Sequence, residues 1–207
     1  MAWFEYNQRV GVRNAPTPMD SEEPQMKSSE LAKSVKVEIT YQHYIALQMI
    51  DLHDFSLVKK KVAQEHGIKD AKHLDTGILY LKRYYAIHIL DPLNPPAMSL
   101  PVDPFWHTHV LYSEDYIGFC NQVFGQYIHH IPLLFEDKVA VAFVTDMYNH
   151  TYKRHEEIFG KIDERFFPRD ATIGLCCSPK SGSRLEGFVD VALFPEDKLM
   201  RLLPSSV

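Results

Sequence analysis

The chain has little cysteine. Three occur in 207 residues, and two of them are the neighbours Cys176 and Cys177, which can pair only in a strained ring. That count supports no disulfide framework, so reduced thiols and a cytoplasmic setting are expected. Positive charge is also short: 22 Lys and Arg stand against 27 Asp and Glu, giving a net charge of -5 and a pI near 6.1. This balance argues against a nucleic-acid-binding surface. The basic run Lys59, Lys60, Lys61 falls in a helical pattern and reads as a solvated face. No apolar run approaches the ~20 residues of a membrane helix, and no basic stretch leads into an apolar one near Met1, so neither a membrane span nor a secretory signal is expected.

Familiar catalytic signatures are missing as well. There is no Gly-rich phosphate loop, no GxSxG elbow and no HExxH pair. A cysteine nucleophile at Cys176 or Cys177 lacks a partner close in sequence, since no histidine follows His155.

What the chain does hold is histidine and aromatic rings: 11 His, 11 Tyr, 12 Phe and 2 Trp. They are densest from Pro101 to Pro132, where PVDPFWHTH is followed by Cys120, Gly125 and the pair His129, His130. The hydrophobic share of 45% is that of an ordinary globular core.

Periodicity divides the chain into three parts. Residues 1–35 include a Pro-, Ser- and Glu-rich stretch and read as an irregular N-terminal arm. Residues 36–165 read as one mainly α-helical domain, a bundle of about five helices. These run from Tyr41 to Leu52, Phe55 to His66, Asp70 to Leu90, Pro104 to Phe124 and Glu136 to Phe159. Asp54 and Asp103 sit at cap positions, Pro104 at the first helical position, and Gly67, Gly125 and Gly160 at the ends. Residues 166–207 form an irregular C-terminal segment with one short strand expected near 187–194.

The central helix constrains any metal site. At ~100° per residue, His107 and His109 lie ~200° apart. Trp106, Val110, Tyr116, Ile117, Cys120 and Phe124 share one arc, and His109 falls within it. His107 sits at the polar edge, where Asp103, four residues earlier, can orient its ring or join it as a ligand. Cys120 lies eleven residues beyond His109, ~16 Å along a continuous axis, and reads as a small buried hydrophobe. His88 and His155 lie on apolar helix faces, either as core histidines or as imidazoles converging with His130.

Val102 to Leu111, Tyr116, Phe119 and Cys120, Phe124 and Gly125, and His129 and His130 together resemble the glycine-rich-domain-containing-protein-like family. Its pattern is Asp-x-x-Trp-His-x-His, then a Tyr, a Phe-Gly and a His. The resemblance spans roughly residues 38 to 165 and points to Asp103, Trp106, His107, His109 and His130. It implies a fold neighbourhood and a site more than a reaction. The glycine-rich tail of the plant members is absent here.

The leading expectation is therefore a metal-binding protein, a metalloenzyme of hydrolytic or oxidative type, with a divalent metal, Zn or Fe. His107, His109 and His130 are the candidate ligands, with Asp103 as fourth ligand or orienter. Trp106, Tyr85 and Tyr116 are the candidate cofactor-contacting rings. Either the first turn of the central helix is irregular, or only one of His107 and His109 is a ligand. Two other readings stand beside it. One is a metal-free module for a protein partner, with structural histidines. The other is a small-molecule pocket lined by Tyr84, Tyr85, Tyr112 and Tyr116.

Overall fold

The structure, a computed structural model, describes residues 29–130 and 136–174. The remainder of the N-terminal arm, residues 131–135 and the segment from 175 onward lie outside the described residues. So do the strand expected near 187–194, and Cys176 and Cys177.

The fold is mainly α. In chain order the helices are α1 (Glu30–Lys33), α2 (Tyr41–Leu52), α3 (Ser56–Glu65), α4 (Ala71–Leu90), α5 (Asp103–Leu111), α6 (Ser113–Phe124), α7 (Lys138–Phe159) and α8 (Ala171–Gly174). Local sequence accounts for most of the boundaries. Thr40 accepts the amide of His43 to start α2, and Asp70 accepts that of Lys72 to start α4. Asp137 accepts the amides of Val139 and Ala140 to start α7. Asp54 takes both the amide and the hydroxyl of Ser56, one residue ahead of the cap position at Phe55. Gly125 closes α6 with φ 67°, where a side chain would be strained.

Two expectations are corrected. The helix from Pro104 is not continuous to Phe124: it breaks at Tyr112, whose ψ of 63° ends α5, and α6 restarts at Ser113. The break resets the helical phase, so Ile117, placed on the inner arc by a continuous helix, is 47% exposed. Asp103 is the first residue of α5 rather than its cap, which is Val102, and its carboxylate lies 3.2 Å from His107 Nδ1.

α4 is the axis of the bundle and packs against α2, α3, α5 and α7. Its Leu81, Tyr85, Ala86 and Ile87 are buried, together with Leu47, Ile50, Phe105 and Ile158 from the helices around it. At Gly77 the α4 backbone runs so close to the Phe105 ring that a Cβ there would overlap it. The body also reaches beyond residues 36–165. Leu31 of α1 is buried, and Asp51 of α2 accepts the Ser29 hydroxyl at 2.6 Å and the Leu31 amide at 2.7 Å. At the other end Phe166 and Phe167 are buried, with Phe167 stacked on Tyr148 at 4.8 Å. No helix among the described residues is long and apolar enough to cross a membrane.

Candidate metal centre

α5 carries the Trp-His-x-His stretch, and its geometry separates the two histidines. His107 is directed to one side, with its ring 44% exposed; His109 is directed into the bundle and is fully buried. Among the described residues this yields two groups that could hold a metal ion: Asp103 with His107 and His130, and His53 with His109 and Asp115. His109 therefore belongs to a different group from His107 and His130.

In the first group, Nε2 of His107 and Nε2 of His130 face each other at 2.6 Å. The other ring nitrogen of His107, Nδ1, lies 3.2 Å from Asp103 Oδ2. The carboxylate thus fixes the ring from behind while Nε2 points at His130. His130 comes from the segment after Gly125, held in place by two buried rings. Trp106 Nε1 donates to the Tyr116 hydroxyl at 3.2 Å, and Tyr116 donates to the carbonyl of Ile128 at 2.8 Å. The Trp106 ring also lies 4.9 Å from that of His130. Burial, with His107 adding to it, lowers the pKa of His130 to about 4, so this imidazole is neutral near pH 7.

The second group was not legible in the sequence. Asp115 Oδ2 lies 3.1 Å from His53 Nε2 and 3.3 Å from His109 Nε2. His53 is the residue that ends α2, and Asp115 lies in the first turn of α6. On a continuous helix Asp115 would point ~240° away from His109 and sit ~9 Å along the axis; the break at Tyr112 brings them together. The one local signal was Ser113 followed by Glu114 and Asp115, a helix-start pattern. Behind His109, Tyr85 Oη lies 2.8 Å from Nδ1. Burial, with the nearby His53, lowers the His109 pKa, and burial raises that of Tyr85 well above its ordinary value.

A family model described as UCP032817-like matches residues 46–152. The chain belongs to the UCP032817-like family. The matched region runs from within α2 into α7 and contains every residue of both groups. The resemblance to the glycine-rich-domain-containing-protein-like family is overturned, since the family shown is the UCP032817-like one. A Trp-His-x-His motif a few residues long did not discriminate between families, and the nine glycines of this chain form no tail. No curated protein and no solved structure matches the chain.

The other residues singled out in sequence have structural positions in this UCP032817-like fold. Trp106, Tyr85 and Tyr116 are buried, with their polar atoms engaged as described. Tyr84 is buried too, and of the four tyrosines of the supposed pocket Tyr112 alone lines the cleft beside His53. His88 packs edge-on against Tyr84, and His155 is stacked on Tyr80; neither joins a metal group. Cys120 is fully buried, and burial raises its thiol pKa.

Proposed function

We propose that this chain is a cytoplasmic, divalent-metal-binding protein with His107 and His130 as ligands and Asp103 as the carboxylate that orients His107. The observation that supports this most is the convergence of two Nε2 atoms, 23 residues apart in sequence, at 2.6 Å. An Asp103–His107 contact lies behind the pair, and the Trp106–Tyr116–Ile128 chain beneath His130. A carboxylate on the remote nitrogen of a ligating imidazole sets its tautomer and raises its basicity. Without an ion, one proton shared between the two nitrogens satisfies the pair at 2.6 Å, and ligation of one ion would part them to the ~2.9–3.5 Å that bonds of ~2.0–2.2 Å set. A divalent ion competes with that proton, so uptake weakens as pH falls.

Nitrogen donors with a nearby carboxylate suit Zn or Fe. His109, a candidate ligand in sequence, has no part in this site. A bound ion would supply the Lewis acidity that hydrolytic or oxidative metalloenzymes use. The exposed edge of His107 is where a small-molecule substrate would approach.

The test is elemental analysis of untagged protein, stripped with chelator and reloaded with Zn(II) or anaerobic Fe(II). One equivalent that disappears in both His107→Ala and His130→Ala is the expected result. Unchanged stoichiometry in both folded variants would overturn the assignment.

A further inference from the structure

We infer a second metal site at the floor of the surface cleft beside α6, held by His53, His109 and Asp115 and suited to a borderline divalent ion such as Zn2+ or Fe2+. It shares no residue with the Asp103–His107–His130 group and does not depend on that reading.

The donor spacing is the first argument. His53 Nε2 and His109 Nε2 stand 3.1 and 3.3 Å from Asp115 Oδ2, and all three donors lie within 4.8 Å of one another. At metal–ligand bonds of ~2.0–2.2 Å, tetrahedral or octahedral angles place neighbouring donors ~2.9–3.5 Å apart. The two contacts to Asp115 fall inside that range.

The second argument is an unmet polar atom. His109 is fully buried, yet its Nε2 has no hydrogen-bond partner. Asp115 lies at 3.3 Å but outside hydrogen-bond geometry. A plain hydrogen-bond network accounts for the His53–Asp115 contact and leaves this nitrogen with the charge of Asp115 beside it but no well-aligned hydrogen bond. A buried imidazole nitrogen without a partner is costly, whereas a cation placed among the three donors would satisfy it.

The surroundings complete the site. Tyr85 Oη lies 2.8 Å from His109 Nδ1, and in the tautomer in which Nδ1–H donates to it the lone pair of Nε2 faces Asp115 and is open to an ion. Phe55 and Phe119 meet the His109 ring edge-on at 5.2 and 5.1 Å and fix its plane. On the other side, a cleft of about 610 Å³ is bordered by His53, Tyr112, Asp115 and Gln122 but not by His109, so solvent meets the group from the His53 and Asp115 side. Two imidazoles and one carboxylate with an open face form the donor set of zinc and non-haem iron centres, and hold no thiolate for Cu(I).

The experiment is a Co(II) titration of the full-length protein, followed by visible absorption and equilibrium stoichiometry. The proteins are wild type, Asp115→Asn, His53→Asn, and the double variant His107→Ala/His130→Ala. Both single changes are at residues not fully buried, and circular dichroism confirms folding. The double variant is expected to keep one equivalent, and adding Asp115→Asn or His53→Asn to it should abolish binding. Loss of one equivalent in the single variants alone, with the double variant unchanged from wild type, would support this site and refute the first one. A folded double variant that binds no Co(II), or binds it equally well after Asp115→Asn, would overturn the second site.

Discussion

His109 Nε2 and Asp115 Oδ2 are 3.3 Å apart although they stand at i and i+6 of what reads as one helix. Their proximity follows from the break at Tyr112, where the amide is shared between the carbonyls of Thr108 and His109 before α6 turns away. A change that rejoins α5 and α6 into one helix should therefore separate this pair without touching either residue. Replacing Ser113 with Ala, and Tyr112 with Leu, favours continuation by a few tenths of a kcal/mol per residue. The expected outcome is weaker Co(II) binding in the His107→Ala/His130→Ala background, with helical content by circular dichroism unchanged or slightly raised.

In the proposed site Asp103 would act on the metal through His107. Asp103→Asn keeps the shape of the side chain and removes the charge behind Nδ1, so zinc affinity at the His107–His130 pair should fall by about 10- to 100-fold. Competition with a chromophoric chelator measures this. Urea unfolding of the metal-free protein should show the structural part of the loss, about 1–3 kcal/mol for a mostly buried charged hydrogen-bonding group.

Tyr116 links α5 to the segment bearing His130. Tyr116→Phe removes the acceptor of Trp106 Nε1–H and the donor to Ile128, leaving a buried N–H and a part-buried carbonyl without these partners. A loss of about 1–3 kcal/mol in urea unfolding is expected, together with weaker zinc uptake at the His130 site.

Gly77→Ala would drive a methyl group into the Phe105 ring. Overpacking of this kind costs about 1–3 kcal/mol, which outweighs the gain of about 0.5–1 kcal/mol from replacing a helical glycine. Trimming the obstacle with Phe105→Leu in the same chain should recover part of the loss. A double-mutant cycle by urea unfolding checks the coupling.

Acid should destabilise the fold before the carboxylates titrate. Burial lowers the pKa of His88 to about 4, and burial with Arg83 nearby lowers that of His155 to about 3, both from an ordinary 6.5. Both rings are neutral when folded, while the unfolded chain takes up protons below pH 6.5. Their contribution is thus complete above pH 6.5 and is lost as pH falls toward 4 and then 3. The slope is on the order of 1 kcal/mol per pH unit for each histidine across that window. Urea midpoints measured from pH 7.5 to 4.5 should fall accordingly, and His155→Phe should flatten the slope.

The helices were legible because their signals are local. Pro92, Pro95 and Pro96 interrupt the helical pattern and Gly125 and Gly160 end it, whereas Asp54 and Asp103, read as caps, stand one residue off the cap positions Phe55 and Val102. The pairing of Asp103 with His107 was legible too, as an i,i+4 relation on one helix. His53 was not: it lies 56 residues from His109, at the end of α2 where periodicity stops carrying information. Asp115 was not singled out, because ~100° per residue carried through the break turns it away from His109, and the marker of the break, Ser113 before two acidic residues, is also compatible with an uninterrupted helix.

α5 has only nine residues, between a Pro-containing loop and the break at Tyr112, and it presents His107 and His109 on opposite sides. It is mounted like a short axle with a handle on each flank. A shift of α5 that an ion requires at one imidazole is therefore carried to the other, nine residues being too few to absorb it. Whatever the sign of that coupling, it has the same size from either end.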